Sequence, residues 1–191
     1  MRYAILAAFV AFGTGCVPVT EPLSDIEKAE PDKNLIGDWA LTDKGGDLRI
    51  TVPEVKGNPK GLIRAGGNDD PKEAVWFYTT TIAKSTYANV ILTKKGDLKQ
   101  FDTVGEFAKW QKEPAKWFYL FRYTIDGDKL TIDAGSQKVV KQLMTDAKVA
   151  ISKGTEFYET PAGWLAKYLD KNDPKAIFDG SNVAKYRKLK K

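Results

Sequence analysis

The chain has 191 residues, 42% of them hydrophobic and 12% aromatic, and a formal net charge of +5. Such a composition excludes a disordered chain, and with no histidine and one cysteine it also excludes an internal disulfide, Ser-His-Asp or Cys-His catalysis and the usual His/Cys zinc sites. A pI near 9.1 would suit an acidic partner such as anionic lipid or a cell-wall polymer, but the positive charges are scattered among acids except in the cluster Lys185 to Lys191, which reads as a solvated C-terminus.

In chain order, Arg2 gives the start one positive charge, Ala4 to Phe12 is an apolar run, and Gly13-Thr14-Gly15 forms a small-residue exit before Cys16. That is the pattern of a secretory signal, and the run falls short of the roughly 20 residues that a membrane-spanning helix needs. The segment resembles a bacterial lipoprotein signal. Gly15 and Cys16 match the end of the lipobox, Thr14 is compatible with it, and Gly13 stands where an apolar residue is usual. The resemblance implies cleavage before Cys16 and lipidation of Cys16 by a thioether-linked diacylglycerol and an N-acyl chain such as palmitate. The alternative, cleavage at the same bond by an ordinary signal peptidase, would leave an exposed, unpaired thiol prone to oxidation. Several acyl chains anchor stably where one binds marginally, so the expected partner of this end is a membrane. The location implied is the bacterial cell envelope. Val17 after the cysteine, in place of Asp, favours the periplasmic face of the outer membrane if the host is Gram-negative. Export leaves nucleic acid out as a partner.

Residues 1–15 are thus expected to be a signal peptide. Residues 16–33, with three prolines and no sustained periodicity, read as a flexible, lipid-anchored tether, and residues 34–191 as one β domain of ordinary size.

Within that domain, Leu35, Gly37, Trp39 and Leu41 alternate with other residues, and Asp43 to Gly46 supplies a turn. Leu48, Ile50 and Val52 alternate with Asp47, Arg49 and Thr51, the period-2 signature of a half-buried strand. Val55 to Pro71, rich in Gly, Pro, Asn and Asp, holds one short strand around Leu62 and Ile63. Val75 to Ala83 is aromatic and β-branched throughout, and Tyr87 to Thr93 is a further strand closed by Lys94 to Asp97. Val104 to Lys112 forms a short helix presenting Phe107 and Trp110. Lys116 to Asp133 is a β-hairpin with Trp117, Tyr119, Phe121, Tyr123 and Ile125 on one face and Asp126-Gly127 as a type I′ loop. Ser136 caps a turn or two carrying Val139, Val140, Leu143 and Met144. Thr160 is placed at an N-cap, with Pro161 at the first helical position, ahead of a helix to Lys171 lined by Trp164, Leu165, Tyr168 and Leu169. A last strand covers Val183 to Leu189, with Ala184, Tyr186 and Lys188 on one side.

Successive short strands, then a helix, then a closing strand predict a mainly β domain: an antiparallel up-and-down barrel or curled sheet with a helix before the last strand. The domain resembles the lipocalin-like (calycin) barrels in Gly37-Asp38-Trp39, which matches their Gly-x-Trp, in its late helix, and in Arg187, placed where the family's arginine covers the tryptophan. It lacks their Thr-Asp-Tyr motif. It is also similar in order of elements to small bacterial lipoproteins of unassigned function.

Carboxylates are the remaining chemistry. Asp69-Asp70 and Asp126-Gly127-Asp128 lie in turn-rich segments, whereas a glycosidase needs two carboxyls facing each other across a cleft, and no EF-hand or phosphate-binding spacing surrounds them. No catalytic residue, metal ligand or cofactor is expected, and Cys16 is the one residue with a specific chemical role. The functional expectation is a non-enzymatic, membrane-anchored envelope lipoprotein binding a small hydrophobic ligand against the aromatic face Trp117/Tyr119/Phe121/Tyr123 with Trp76 and Tyr78. The alternative is an envelope assembly or interaction module that recruits a protein partner.

Overall fold

The computed structural model describes residues 17–42, 47–66, 74–93, 97, 99–113, 115–153 and 156–189. Eight antiparallel strands follow one another around a closed barrel: β2 (Gly37–Leu41), β3 (Asp47–Thr51), β4 (Ile63–Gly66), β5 (Val75–Ile82), β6 (Ser85–Leu92), β7 (Trp117–Asp126), β8 (Lys129–Asp133) and β9 (Val183–Lys188). Closure is made by β9 against β2, with Ala40 opposite Arg187. Three helices lie outside the strands: α1 (Glu106–Gln111), α2 (Gln137–Asp146) and α3 (Trp164–Lys171). The mainly β class and the up-and-down barrel with helix before the last strand are as the pattern predicted.

A ninth strand, β1 (Val17–Val19), overturns the expected flexible tether. β7 is ten residues long, and β8 covers only Arg122 to Asp126 of one edge. The rest of that edge would leave backbone N–H and C=O groups unpaired. β1 fills it, pairing Val17 with Leu120 and Val19 with Phe118. The carbonyl of Pro18 accepts from Tyr158 N (3.0 Å), so the side of the strand on which proline lacks an N–H faces away from β7. Residues 20–30 then run on as a strap across the outside of β5 and β6. Its fixings come from side chains. Asn89, fully buried, accepts from Leu23 N through Oδ1 (2.9 Å) and donates to Thr80 Oγ1 (2.9 Å). Tyr78 OH donates to the Ser24 carbonyl (2.9 Å) and Thr79 Oγ1 to that of Glu30 (3.1 Å).

The strap and helices divide the apolar side chains into two cores. Inside the barrel are Trp39, Phe77, Trp117, Phe121, Tyr123 and Tyr186 with smaller aliphatics, and Phe157 comes in from the loop before α3 to stack on Tyr119 (centroids 5.5 Å). Outside, Trp76, Tyr78, Tyr87, Ile91, Phe118 and Leu120 lie beneath Phe107 and Trp110 of α1, Val140 and Met144 of α2, Leu165 and Leu169 of α3, and Leu23 and Ile26 of the strap. Strands β5 to β7 are therefore apolar on both faces, as doubly covered strands are. β3 and β9 have one face in water and alternate strictly.

Four further expectations are corrected. Trp39 is covered by Lys188, its direct partner across the β2–β9 pair, with Nζ 5.1 Å from the indole centroid. Arg187, one residue away, points to the opposite face and pairs with Asp128 at 3.7 Å. The β7–β8 loop is Gly127-Asp128, one residue later than predicted, because Asp126 pairs with Lys129. Gly127 takes the positive φ (+57°) and Asp128 does not, the type II′ pattern. Helix α3 begins at Trp164 behind Gly163 in the left-handed region (φ +68°), so Thr160 is not its cap; residues 161–163 form a separate turn closed by Trp164 N to the Pro161 carbonyl (2.9 Å). The basic C-terminal cluster, finally, is barrel wall as far as Lys188, whose Nζ also donates to the Asn34 carbonyl (3.1 Å).

Burial raises the phenol of Tyr186 to about 12, and raises those of Tyr78, Tyr87 and Tyr123 as well; Tyr123 is pushed further by Asp32, which accepts from its hydroxyl (3.1 Å). A raised folded value means that the stabilisation is whole below the ordinary tyrosine value near 10 and drains away as pH rises through the folded one. At about 1.4 kcal/mol per pH unit, Tyr186 alone should cost about 2–3 kcal/mol of unfolding free energy between pH 10 and 12. Its hydroxyl has no hydrogen-bond partner among the described residues, so Tyr186→Phe should fold as well as the parent at pH 7 and resist alkali better. Urea midpoints measured from pH 7 to 12 check both, and parallel curves for the two proteins would refute the assignment.

Candidate functional site

Of the residues singled out in the sequence, Cys16 and the pair Asp69-Asp70 lie outside the described residues. Asp126 and Asp128 are hairpin residues, with Asp128 turned toward Arg187. The predicted aromatic lining is split by the barrel wall: Trp117, Phe121 and Tyr123 are interior, and Trp76 and Tyr78 are exterior. An eight-stranded barrel is just wide enough for its own side chains or one small ligand. Among the described residues the side chains take up most of that space. A cavity bordered by Leu35, Ile50, Phe77 and Phe121 measures about 20 Å³, room for about one water.

A larger recess, about 630 Å³, lies outside the barrel wall, within the range of 300–1,000 Å³ typical of ligand sites. One wall is the strap, from Thr20 to Glu27. Ser152, Glu159 and Thr160 line it as well, the last two directly after Tyr158, whose carbonyl accepts from Thr20 N (3.0 Å), and Gln111, Ala115 and Lys116 complete the border. Tyr78, Trp110 and Phe118 make the floor. They are held there because the outer core is a chain of edge-to-face rings, Trp76 to Phe101 (5.8 Å), Phe101 to Trp110 (5.6 Å), Trp110 to Phe118 (6.2 Å) and Phe118 to Tyr78 (6.3 Å). Each such pair contributes about 0.5–1.5 kcal/mol beyond its buried area.

Four carboxylates border this cleft, Glu21, Asp25 and Glu27 on the strap and Glu159 from the segment before α3, all exposed. None of them forms an ion pair among the described residues. Asp25 Oδ1 accepts from Glu27 N (3.1 Å), capping a single 3₁₀ turn, and Glu27 Oε1 accepts from Gln111 Nε2 (2.6 Å), which ties strap to α1. The one cation among the described residues on the border, Lys116, is already engaged: Nζ donates to the carbonyls of Gln111 (3.3 Å) and Glu113 (3.2 Å) and sits 5.5 Å from the Trp110 centroid. After burial itself, the charges of Asp25 and Glu21 are what raise the Tyr78 phenol, so the acidic field reaches the floor. Two polar atoms of the lining are buried without a partner among the described residues, Trp110 Nε1 and Thr160 Oγ1.

Carboxylates facing each other across a cleft are the arrangement that a histidine-free hydrolase would need. A general acid of that kind is made by taking one carboxyl out of water, and all four here stay in solvent. The geometry brings together an aromatic floor, a negative border and two buried polar atoms that lack a partner among the described residues. None of it was visible as a motif, since the contributing residues are spread from Thr20 to Thr160. Among the described residues no group of carboxylates is placed to hold a metal ion, and no helix is long and apolar enough to cross a membrane. Compared with known proteins, the chain matches no family model, no curated sequence and no solved structure.

Proposed function

We propose that this chain is a non-enzymatic lipoprotein of the bacterial envelope, anchored through lipidated Cys16, whose barrel serves as an interaction module that recruits a partner protein. The observation that carries this choice over storage of a small hydrophobic ligand is the filled barrel: a cavity of about 20 Å³ is too small for any lipid-like guest, while a cleft of about 630 Å³ opens on the outside. The lipocalin-like architecture then acts as a rigid frame that displays its outer surface. Val17 is fully buried in β1, directly after Cys16. An anchor there leaves almost no free chain between lipid and barrel, so the module would be held close to the membrane in one orientation.

Photocrosslinking in intact cells tests the recruiting role. A benzoylphenylalanine would be introduced singly at Gln111, on the cleft, and at Asp47 and Lys138, exposed positions away from it. One dominant protein adduct is expected. No adduct from any position, together with a stoichiometric lipid released by denaturing extraction, would return the function to ligand binding. The intact mass of the mature N-terminus decides the anchor, and a free thiol on Cys16 would remove it.

A further inference from the structure

We infer that the outer cleft lined by the strap and by Ser152, Glu159 and Thr160 is a peptide site, and that the segment it takes is basic with interspersed apolar residues. This rests on the recruiting role proposed above and names the place and chemistry of the contact.

Charge is the first support. A chain of net charge +5 gathers four carboxylates around one recess, and its single bordering cation is already engaged by two carbonyls and an indole face. Like charges held together without counter-ions oppose one another, and a cationic partner relieves that opposition. The second support is independent of charge. Trp110 and Thr160 are 2% and 4% exposed, both line the cleft, and each has a polar atom without a partner. A buried donor left without an acceptor is unfavourable, and a ligand that brings an acceptor against it relieves that cost. Indole N–H is a donor only, so the group it lacks is an acceptor. A peptide carries carbonyls along its backbone; a free polyamine carries none. The third support is the floor. Above the buried rings of Tyr78, Trp110 and Phe118, Pro22 and Ala115 offer partly exposed apolar surface among the acids, which suits apolar side chains alternating with cationic ones.

Isothermal titration calorimetry on the full chain in detergent tests this with three probes: an acetylated, amidated pentapeptide of alternating lysine and leucine, the same peptide with glutamate for lysine, and spermidine. The lysine peptide should bind, and tenfold or more tightly than either of the others. Glu21→Gln combined with Glu159→Gln should weaken it at least tenfold, and Thr160→Val several-fold. Asp126→Asn combined with Asp128→Asn, an equal loss of exposed negative charge elsewhere, should leave it unchanged. Equal binding of spermidine would show a mere cation sink. Equal loss in all three variants would show a whole-surface charge effect. Either overturns the site, as does no binding of the lysine peptide. If the peptide fails while crosslinks persist at Asp47 or Lys138, the site is wrong and the recruiting role stands; absence of crosslinks at every position would remove the role itself.

Discussion

Replacing Asp133 by asparagine should lower the unfolding free energy by about 3 kcal/mol, because this carboxylate is the knot that ties the end of β8 to two loops. It is 3% exposed. Oδ1 accepts from Gly135 N (2.9 Å), while Oδ2 accepts from Gly180 N (3.0 Å) and faces Arg122 Nη2 at 3.4 Å. Arg122 in turn lies over the ring of Phe178, 5.9 Å from its centroid. Asparagine keeps the size but offers one acceptor oxygen in place of two, so its NH₂ must oppose a backbone N–H, and Arg122 loses its ion partner in a setting where its side chain is only 20% exposed. Breaking a buried pair from one side costs about 3–5 kcal/mol, and Arg122 retains enough solvent contact to keep the loss at the lower end. Equilibrium urea unfolding measures it. A loss under about 1 kcal/mol would mean that the two glycine N–H groups, not the ion pair, are what the site needs, and that the loops reorganise to satisfy them.

The position of Asp133 illustrates what could be seen in the sequence and what could not. Leu130 and Ile132 announced a strand by alternation, and Leu48, Ile50, Ala184 and Tyr186 did the same, because each strand concerned has one face in water. The run Val75 to Thr79 was equally legible as a strand, but its five consecutive buried residues did not reveal which faced the interior. That depended on α1 and the strap arriving over the other face. The strap was misread for a related reason. Val17, Val19, Leu23 and Ile26 are only four apolar residues among prolines and charges, the composition of a linker, and their burial is set by partners some 60 to 140 positions away in Tyr78, Asn89, Leu120 and Tyr158. Lys188 in place of Arg187 was a matter of register: two adjacent residues on a strand point to opposite faces, and only the pairing of Trp39 with Lys188 decides between them. The cleft could not be read at all, since its acids lie at 21, 25, 27 and 159 and its floor at 78, 110 and 118.

Gly61→Ala should have an effect as large as that of Asp133, and a more selective one, by prising the strap from the barrel. A Cβ at Gly61 would collide with the Ala29 carbonyl oxygen and lie 2.6 Å from its carbon. Both are backbone atoms, so no side chain can swing aside. The residue is glycine because the strap passes directly over it, not for an unusual φ. Overpacking of this kind costs about 1–3 kcal/mol where neighbours can shift, and a backbone collision belongs at the top of that range. The strain falls on one end of the strap, whose other fixings are the hydrogen bonds from Asn89, Tyr78 and Thr79. Hydrogen exchange followed by mass spectrometry should therefore show early loss of protection in residues 20–30, Leu23 N above all, while the amides of β3, β6 and β7 stay protected. Because the strap is one wall of the acidic cleft, the lysine peptide should lose its affinity in the same variant without the barrel unfolding. Uniform loss of protection across β2 to β9 would instead make the strap an inseparable part of the barrel's cooperative unit, and Gly61 a core position like any other.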